Sequence, residues 1–120
     1  GAAALATKKC SSSFDVAFTK GVIANWLVCI AVYMANGCST MIGKMLAAWV
    51  PVSAFTAMGM EHSIANMCML PLGMLNGADI TWGDIVTKNL IPVTLGNIFG
   101  GAICSVAPFG MVFGKWFNNE

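Results

Sequence analysis

Polar and charged positions in this chain fall into a few tight clusters, with long apolar stretches between them. No Asp, Glu, Lys or Arg occurs from Gly21 to Gly43, from Met45 to Met60, from Ser63 to Ala78, or from Asn89 to Gly114. A helix that crosses a bilayer needs roughly 20 mostly apolar residues. The first and last stretches meet that length alone; the middle two reach it only together, across Glu61 and His62. Residues 1–13 read as the end of a preceding helix and a polar loop, marked by Lys8-Lys9-Cys10 and a run of serines. A first span is expected over about 15–35, closed by the turn residues Asn36-Gly37-Cys38-Ser39. The next apolar pieces run over about 41–58, with Pro51 inside, and about 64–75. Asn76-Gly77-Ala78-Asp79 reads as a turn, and Thr81 or Asp84 is placed to cap a last helix over about 85–113, with Pro92 in its early turns.

The pattern therefore predicts an all-α chain of three spans whose middle member is broken at Gly59-Met60-Glu61-His62-Ser63. Gly59 and Ser63 flank the break, and Ser63 is placed to cap the helix that follows. Non-helical backbone at membrane depth is tolerated only where it faces protein or a watery cavity. Broken helices of this kind commonly carry a substrate site. Gly96 and Gly100, four apart on one helix face, permit close approach of another helix and read as packing.

Composition strengthens the membrane reading. Of 120 residues, 58% are hydrophobic and 9% charged, against about 25% charged in soluble domains. A soluble fold of this size has too few charges here to cover itself, so lipid must cover much of it: the chain is expected to be a multi-pass integral membrane protein of a plasma or cell membrane. Net charge is +1, with no basic run, so nothing favours nucleic acid as a partner. Cys10, Cys29, Cys38, Cys68 and Cys104 are scattered without metal-ligand spacing. No nucleophile–base arrangement or phosphate loop is present, so neither an enzyme nor a cofactor or metal site is expected. The chain lacks a secretory signal pattern and does not begin with Met, and it is read as a piece of something longer.

Three blocks carry a family resemblance. They are Ala24-Asn25-Trp26-Leu27-Val28-Cys29 with Ala31-Val32; Gly59-Met60-Glu61-His62-Ser63-Ile64-Ala65-Asn66-Met67 followed by Leu70-Pro71-Leu72-Gly73; and Asn89-Leu90-Ile91-Pro92-Val93-Thr94-Leu95-Gly96-Asn97 followed by Gly100-Gly101. In order and spacing they resemble the formate/nitrite transporter family, from about Lys9 to the end of the chain. The resemblance implies an aquaporin-like protomer of six helices in two inverted halves, assembled as a homopentamer with a pore in each protomer. It implies that residues 14–120 are the second half, with the fourth, broken fifth and sixth helices, and that the first half is missing. That half bears the loop whose Thr approaches the histidine, so this chain alone is not expected to form a complete pore.

Residue by residue, the resemblance makes His62 the central pore histidine. Asn25 and Asn97 become pore-lining asparagines, and Phe55 and Val28 constriction positions. Met60 stands where many members have Phe, which keeps the constriction apolar but more flexible. Lys9 aligns with a vestibule lysine that attracts anions. Glu61, the acidic neighbour of the histidine, becomes a structural residue beside Ser63. Read without the family, Asn25 and Asn97 also suit interhelical hydrogen bonding. Trp26, Trp49, Trp82 and Trp116 suit packing or an interfacial belt, and the methionines suit core filling.

The implied permeants are small monovalent anions of weak acids such as formate or nitrite, together with protons. A bare anion crossing an apolar constriction loses much of its hydration energy. A lysine can raise its local concentration, and a proton can make it a neutral acid. Histidine suits that step because its reference pKa lies near 6.5; it can hand over a proton or hydrogen-bond and polarise the permeant. Two other readings compete. A neutral-solute channel of aquaporin type would carry Asn-Pro-Ala motifs, and none is present. A non-conducting structural membrane subunit would show a blocked pore. Lysine counts, with Lys8, Lys9 and Lys20 against Lys44 and Lys115, would put the start of the chain in the cytosol; the family topology implies the reverse.

Overall fold

The computed structural model describes residues 1–114, and these are all helix and turn, without strands. Lys115 and Trp116, weighed above for orientation and for an interfacial belt, lie outside the described residues. Helix α1 (Ala2–Cys10) is followed by Ser11–Ser13 and helix α2 (Phe14–Gly37). Asp15 sits in the first turn of α2, where a negative charge complements the helix dipole. Helix α3 (Met41–Ala57) starts at Thr40, whose hydroxyl accepts the Gly43 N–H at 3.1 Å.

The break after α3 has a defined construction. Gly59 adopts φ +66°, the Gly59 N–H donates to Thr56 O, and the Met60 N–H donates to Phe55 O, both at 3.0 Å. This is a Schellman termination, in which a glycine in the left-handed region closes the last carbonyls of the helix. Helix α4 (Ser63–Leu75) ends the same way at Gly77, φ +86°, with Gly77 N–H to Met74 O at 3.1 Å and Ala78 N–H to Gly73 O at 3.0 Å. One correction concerns the start of α4. The capping position is His62, not Ser63, and no side chain caps there. Ser63 is already the first helical residue, so its hydroxyl is turned to another helix.

Helix α5 (Trp82–Phe113) is continuous. Thr81 and Asp84 cap it jointly, each side chain accepting from the other's backbone N–H in a capping box. Two π-helical stretches interrupt it, Ile85–Leu90 and Ala102–Val106. Each precedes a proline, Pro92 and Pro108. Proline has no N–H to donate and its ring collides with the carbonyl four residues back. Those carbonyls belong to Lys88 and Cys104, inside the two wide turns, which absorb the misfit.

The packing is that of a membrane protein. Small residues lie inside, among them Ala17, Ala24 and Ala31 of α2, while large apolar side chains face outward, including Trp49, Ile42 and Leu75 at 66%, 73% and 83% exposure. The Cα trace measures only 58 × 33 × 18 Å, too thin to bury both faces of its helices. Helix α2 lies tightly along α5. A Cβ on Gly96 would overlap the Phe18 carbonyl, one on Gly100 the Val22 carbonyl, and one on Gly21 would stand 2.7 Å from Val93 O. Helix α1 packs on α4 through Ala6 against Gly73, above a small core of Ala6, Cys10, Leu70 and Ile85.

Candidate functional site

The break between α3 and α4 opens onto a cavity of about 310 Å³. His62 lines it from extended backbone, φ −123° and ψ 123°. Phe55, from the last turns of α3, stacks on the imidazole with centroids 6.2 Å apart and planes at 28°. Met60 and Glu61 line the same cavity, as do Lys8 and Lys9 at the end of α1 and Lys20 of α2. Its lining therefore combines apolar side chains, Phe55 and Met60 among them, with three lysines.

The two neighbours of His62 in the chain are held by one side chain. Asn97 Oδ1 accepts from the Ser63 N–H at 2.9 Å and from the Ser63 hydroxyl at 3.0 Å. Asn97 Nδ2 donates to Glu61 O at 3.1 Å and to Gly21 O at 2.8 Å. The Asn97 amide is buried and fully used. Asn25 adds a further link, donating from Nδ2 to the Asn97 carbonyl at 2.6 Å. Helix α2, the broken segment and α5 are thus tied together around His62, whose ring lies against the cavity and not in this network.

Glu61 forms a second knot. Its Oε2 is 2.8 Å from Lys9 Nζ, and the two side chains are only 4% and 11% exposed. The same oxygen accepts from Asn66 Nδ2 at 2.6 Å, with Asn89 Nδ2 at 3.5 Å. Asn66 Nδ2 also donates to Asn89 Oδ1 at 2.8 Å, and Asn89 Nδ2 to Lys9 O at 3.3 Å. Four polar residues, from α1, the break, α4 and the first π turn of α5, meet here, and Glu61, Asn66 and Asn89 are buried. A buried carboxylate is tolerable only with such compensation.

Of the residues singled out in the sequence, the structure gathers His62, Phe55, Met60, Glu61 and Lys9 around one cavity. Asn25, Asn97 and Ser63 lie in the clamp beside it, and Val28 sits half-buried one turn beyond Asn25 on α2. Lys9, expected as a vestibule charge, is the ion-pair partner of Glu61. Asn66 and Asn89 lie inside the blocks that carry the family resemblance, and the sequence alone assigns them no role. Their signal was an amide in each of two otherwise charge-free stretches, which is costly in a membrane unless it is paired.

An all-helical bundle with small residues inside and apolar side chains outside, built around a histidine in a broken helix, defines the class: a polytopic membrane protein of the channel and transporter type. The family model described as formate/nitrite transporter matches residues 1–111. A probable formate transporter of Methanothermobacter thermautotrophicus is 49% identical over 105 residues, covering 86% of this chain and 38% of that protein. Among solved structures, an FNT family ion channel superposes with a TM-score of 0.87 at 34% identity, covering 92% of this chain and 45% of that one. A pentameric formate channel with formate bound superposes with a TM-score of 0.84 at 31% identity, covering 93% and 51%. The chain belongs to the formate/nitrite transporter family, and it is an integral membrane protein with that family's fold. The family is one of transporters and channels, not enzymes. The chain spans under half the length of the curated relatives it matches.

Proposed function

We propose that the protein to which this chain belongs carries small monovalent weak-acid anions, formate or nitrite among them, across the membrane together with protons. The pore runs through each protomer of a homopentamer, and residues 14–120 contribute one half of that protomer, opposite an inverted first half. The observation that carries the proposal is the seat of His62: at the break between α3 and α4, stacked on Phe55, and lining a cavity that Lys8, Lys9 and Lys20 also line. The named relatives, a probable formate transporter and a channel with formate bound, support the choice of permeant.

In this reading the lysines of the lining draw the anion in, and the imidazole of His62 meets it as its hydration is lost. A hydrogen bond to a charged acceptor is stronger than a neutral one and strengthens further in a dry site. The imidazole N–H therefore holds the anion as it sheds water, and a proton taken from the aqueous side then gives the neutral acid, which passes Phe55 and Met60. Glu61 and Ser63 take no part in passage; they fix the backbone on either side of the histidine.

The test is uptake by the full-length protein in proteoliposomes with His62→Leu and His62→Asn. Leucine removes the N–H donor and is expected to abolish formate and nitrite uptake. Asparagine keeps a donor and is expected to retain part of it. Unchanged uptake in His62→Leu would remove His62 from the permeation path.

A further inference from the structure

Three of the nine methionines line the same cavity as His62: Met58 and Met60 at the break, and Met69 on α4. Met58 is exposed, and Met60 and Met69 are half-buried. Met67, on the same helix as Met69, is outside that lining and 57% exposed. Two residues turn a helix by about 200°, so the two side chains leave it on nearly opposite faces. Met45 and Met111 also face outward, and Met74 packs on the core of Ala6, Cys10, Leu70 and Ile85. Outward faces of a membrane protein meet lipid or other helices, where an anion loses its hydration without compensation. Within the cavity the thioethers are the readily oxidised groups, because among the described residues no cysteine lines it. The lysines of the lining favour anions in the same space.

We propose that this cavity is a methionine modification site, at which hypohalite, itself a small monovalent anion of a weak acid, converts Met58, Met60 and Met69 to sulfoxides and so lowers transport. The inference rests on the anion-transport reading above, because the oxidant shares the charge and acidity class of the permeant proposed there. The reaction needs no further reagent. A sulfur lone pair takes the oxygen of hypochlorite; the S–O bond forms as the O–Cl bond breaks, and chloride leaves with the bonding pair. Sulfur loses two electrons and chlorine gains them. The product replaces a flexible apolar side chain with a polar one. A sulfoxide oxygen in the lining binds donors that the permeant would otherwise meet there, and uptake falls.

The experiment treats the full-length protein in proteoliposomes with hypochlorite, maps the added oxygen by peptide mass spectrometry, and measures formate uptake once the oxidant is removed. Met58, Met60 and Met69 are expected to be oxidised well before Met67. Acetate, an anion the oxidant does not attack, is expected to slow their oxidation more than that of Met67. Uptake is expected to fall in step with their sulfoxide content. A variant combining Met58→Leu, Met60→Leu and Met69→Leu keeps apolar side chains of similar volume. It is expected to retain a larger fraction of its own untreated rate than the wild type does. Met67 oxidised as fast as Met69, or no protection by acetate, overturns the site, and both are read on the wild type whether or not the variant folds. Uptake lost as steeply in the variant as in the wild type overturns the effect on transport. Each of these results leaves the transport reading intact when the untreated wild type takes up formate. An untreated wild type that takes up neither formate nor nitrite overturns that reading and this inference together.

Discussion

Asn97 and Ser63, 34 positions apart, are joined by two hydrogen bonds to one oxygen, at 2.9 Å from the Ser63 backbone and 3.0 Å from its hydroxyl. With its amide nitrogen Asn97 also binds Glu61 O, so a single side chain on α5 grips the chain on both sides of His62. The seat of the histidine is therefore set by a residue on another helix. Asn97→Leu leaves several buried groups unpaired, at about 1–3 kcal/mol each. It is expected to lower the thermal midpoint in detergent and to abolish uptake. Asn97→Asp keeps the acceptor for Ser63 but loses both donors, and is expected to fall between Asn97→Leu and the wild type.

The Lys9–Glu61 pair gives a prediction of a different form. Removing one partner of a buried ion pair strands the other charge, typically at about 3–5 kcal/mol. Lys9→Met and Glu61→Leu are each expected to be strongly destabilised, and the double variant less so than the sum of the two. Thermal unfolding of the four proteins forms the cycle. Strict additivity would show that the two residues do not depend on each other.

Gly96 and Gly100 press against the carbonyls of Phe18 and Val22, where backbone cannot give way as a flexible side chain would. Alanine at either position is expected to separate α2 from α5 and to disturb the Asn25–Asn97 link between them. Loss of folded oligomer on size-exclusion chromatography checks this. Alanine at Gly83, whose nearest neighbour would stand 3.6 Å from the new Cβ, is expected to be tolerated there.

Gly59 and Gly77 end the two half-helices with the same backbone geometry, and a Cβ on either meets nothing within 4 Å. Alanine at each site is therefore expected to cost only the left-handed penalty, about 1–2 kcal/mol. The two variants are expected to melt alike but to transport differently. Gly59→Ala strains the segment leading to His62, whereas Gly77→Ala strains a loop away from the cavity. Equal effects on uptake would detach the backbone turn at Gly59 from the site.

Charge placement made the helices legible. Lys20, Lys44, Glu61 and Asp79 stand at or near the ends of apolar stretches, because an unpaired charge is expensive inside lipid. The break at Gly59 was legible for a related reason: a glycine beside Glu61 and His62 in mid-stretch has no place in a lipid-facing helix. Ser63 misled because a serine at a helix start ordinarily caps its own helix. Here Asn97 lies close enough to take its hydroxyl, and that contact is non-local. For the same reason the pairing of Lys9 with Glu61, across 52 positions, could not be read from local pattern. The π turns could not be placed either, since Pro92 and Pro108 announce a disturbance in α5 without saying where the helix will widen.

The central claim is that the anion crosses together with a proton. It is tested most directly by recording formate uptake and lumen pH together in proteoliposomes of the full-length protein, at about pH 5.5 and about pH 7.5, on either side of the histidine range. The account predicts faster uptake at the lower pH, with the lumen acidifying in step with the formate that enters. Uptake independent of pH, with no lumen acidification as formate accumulates, would show that the bare anion passes and would contradict the account.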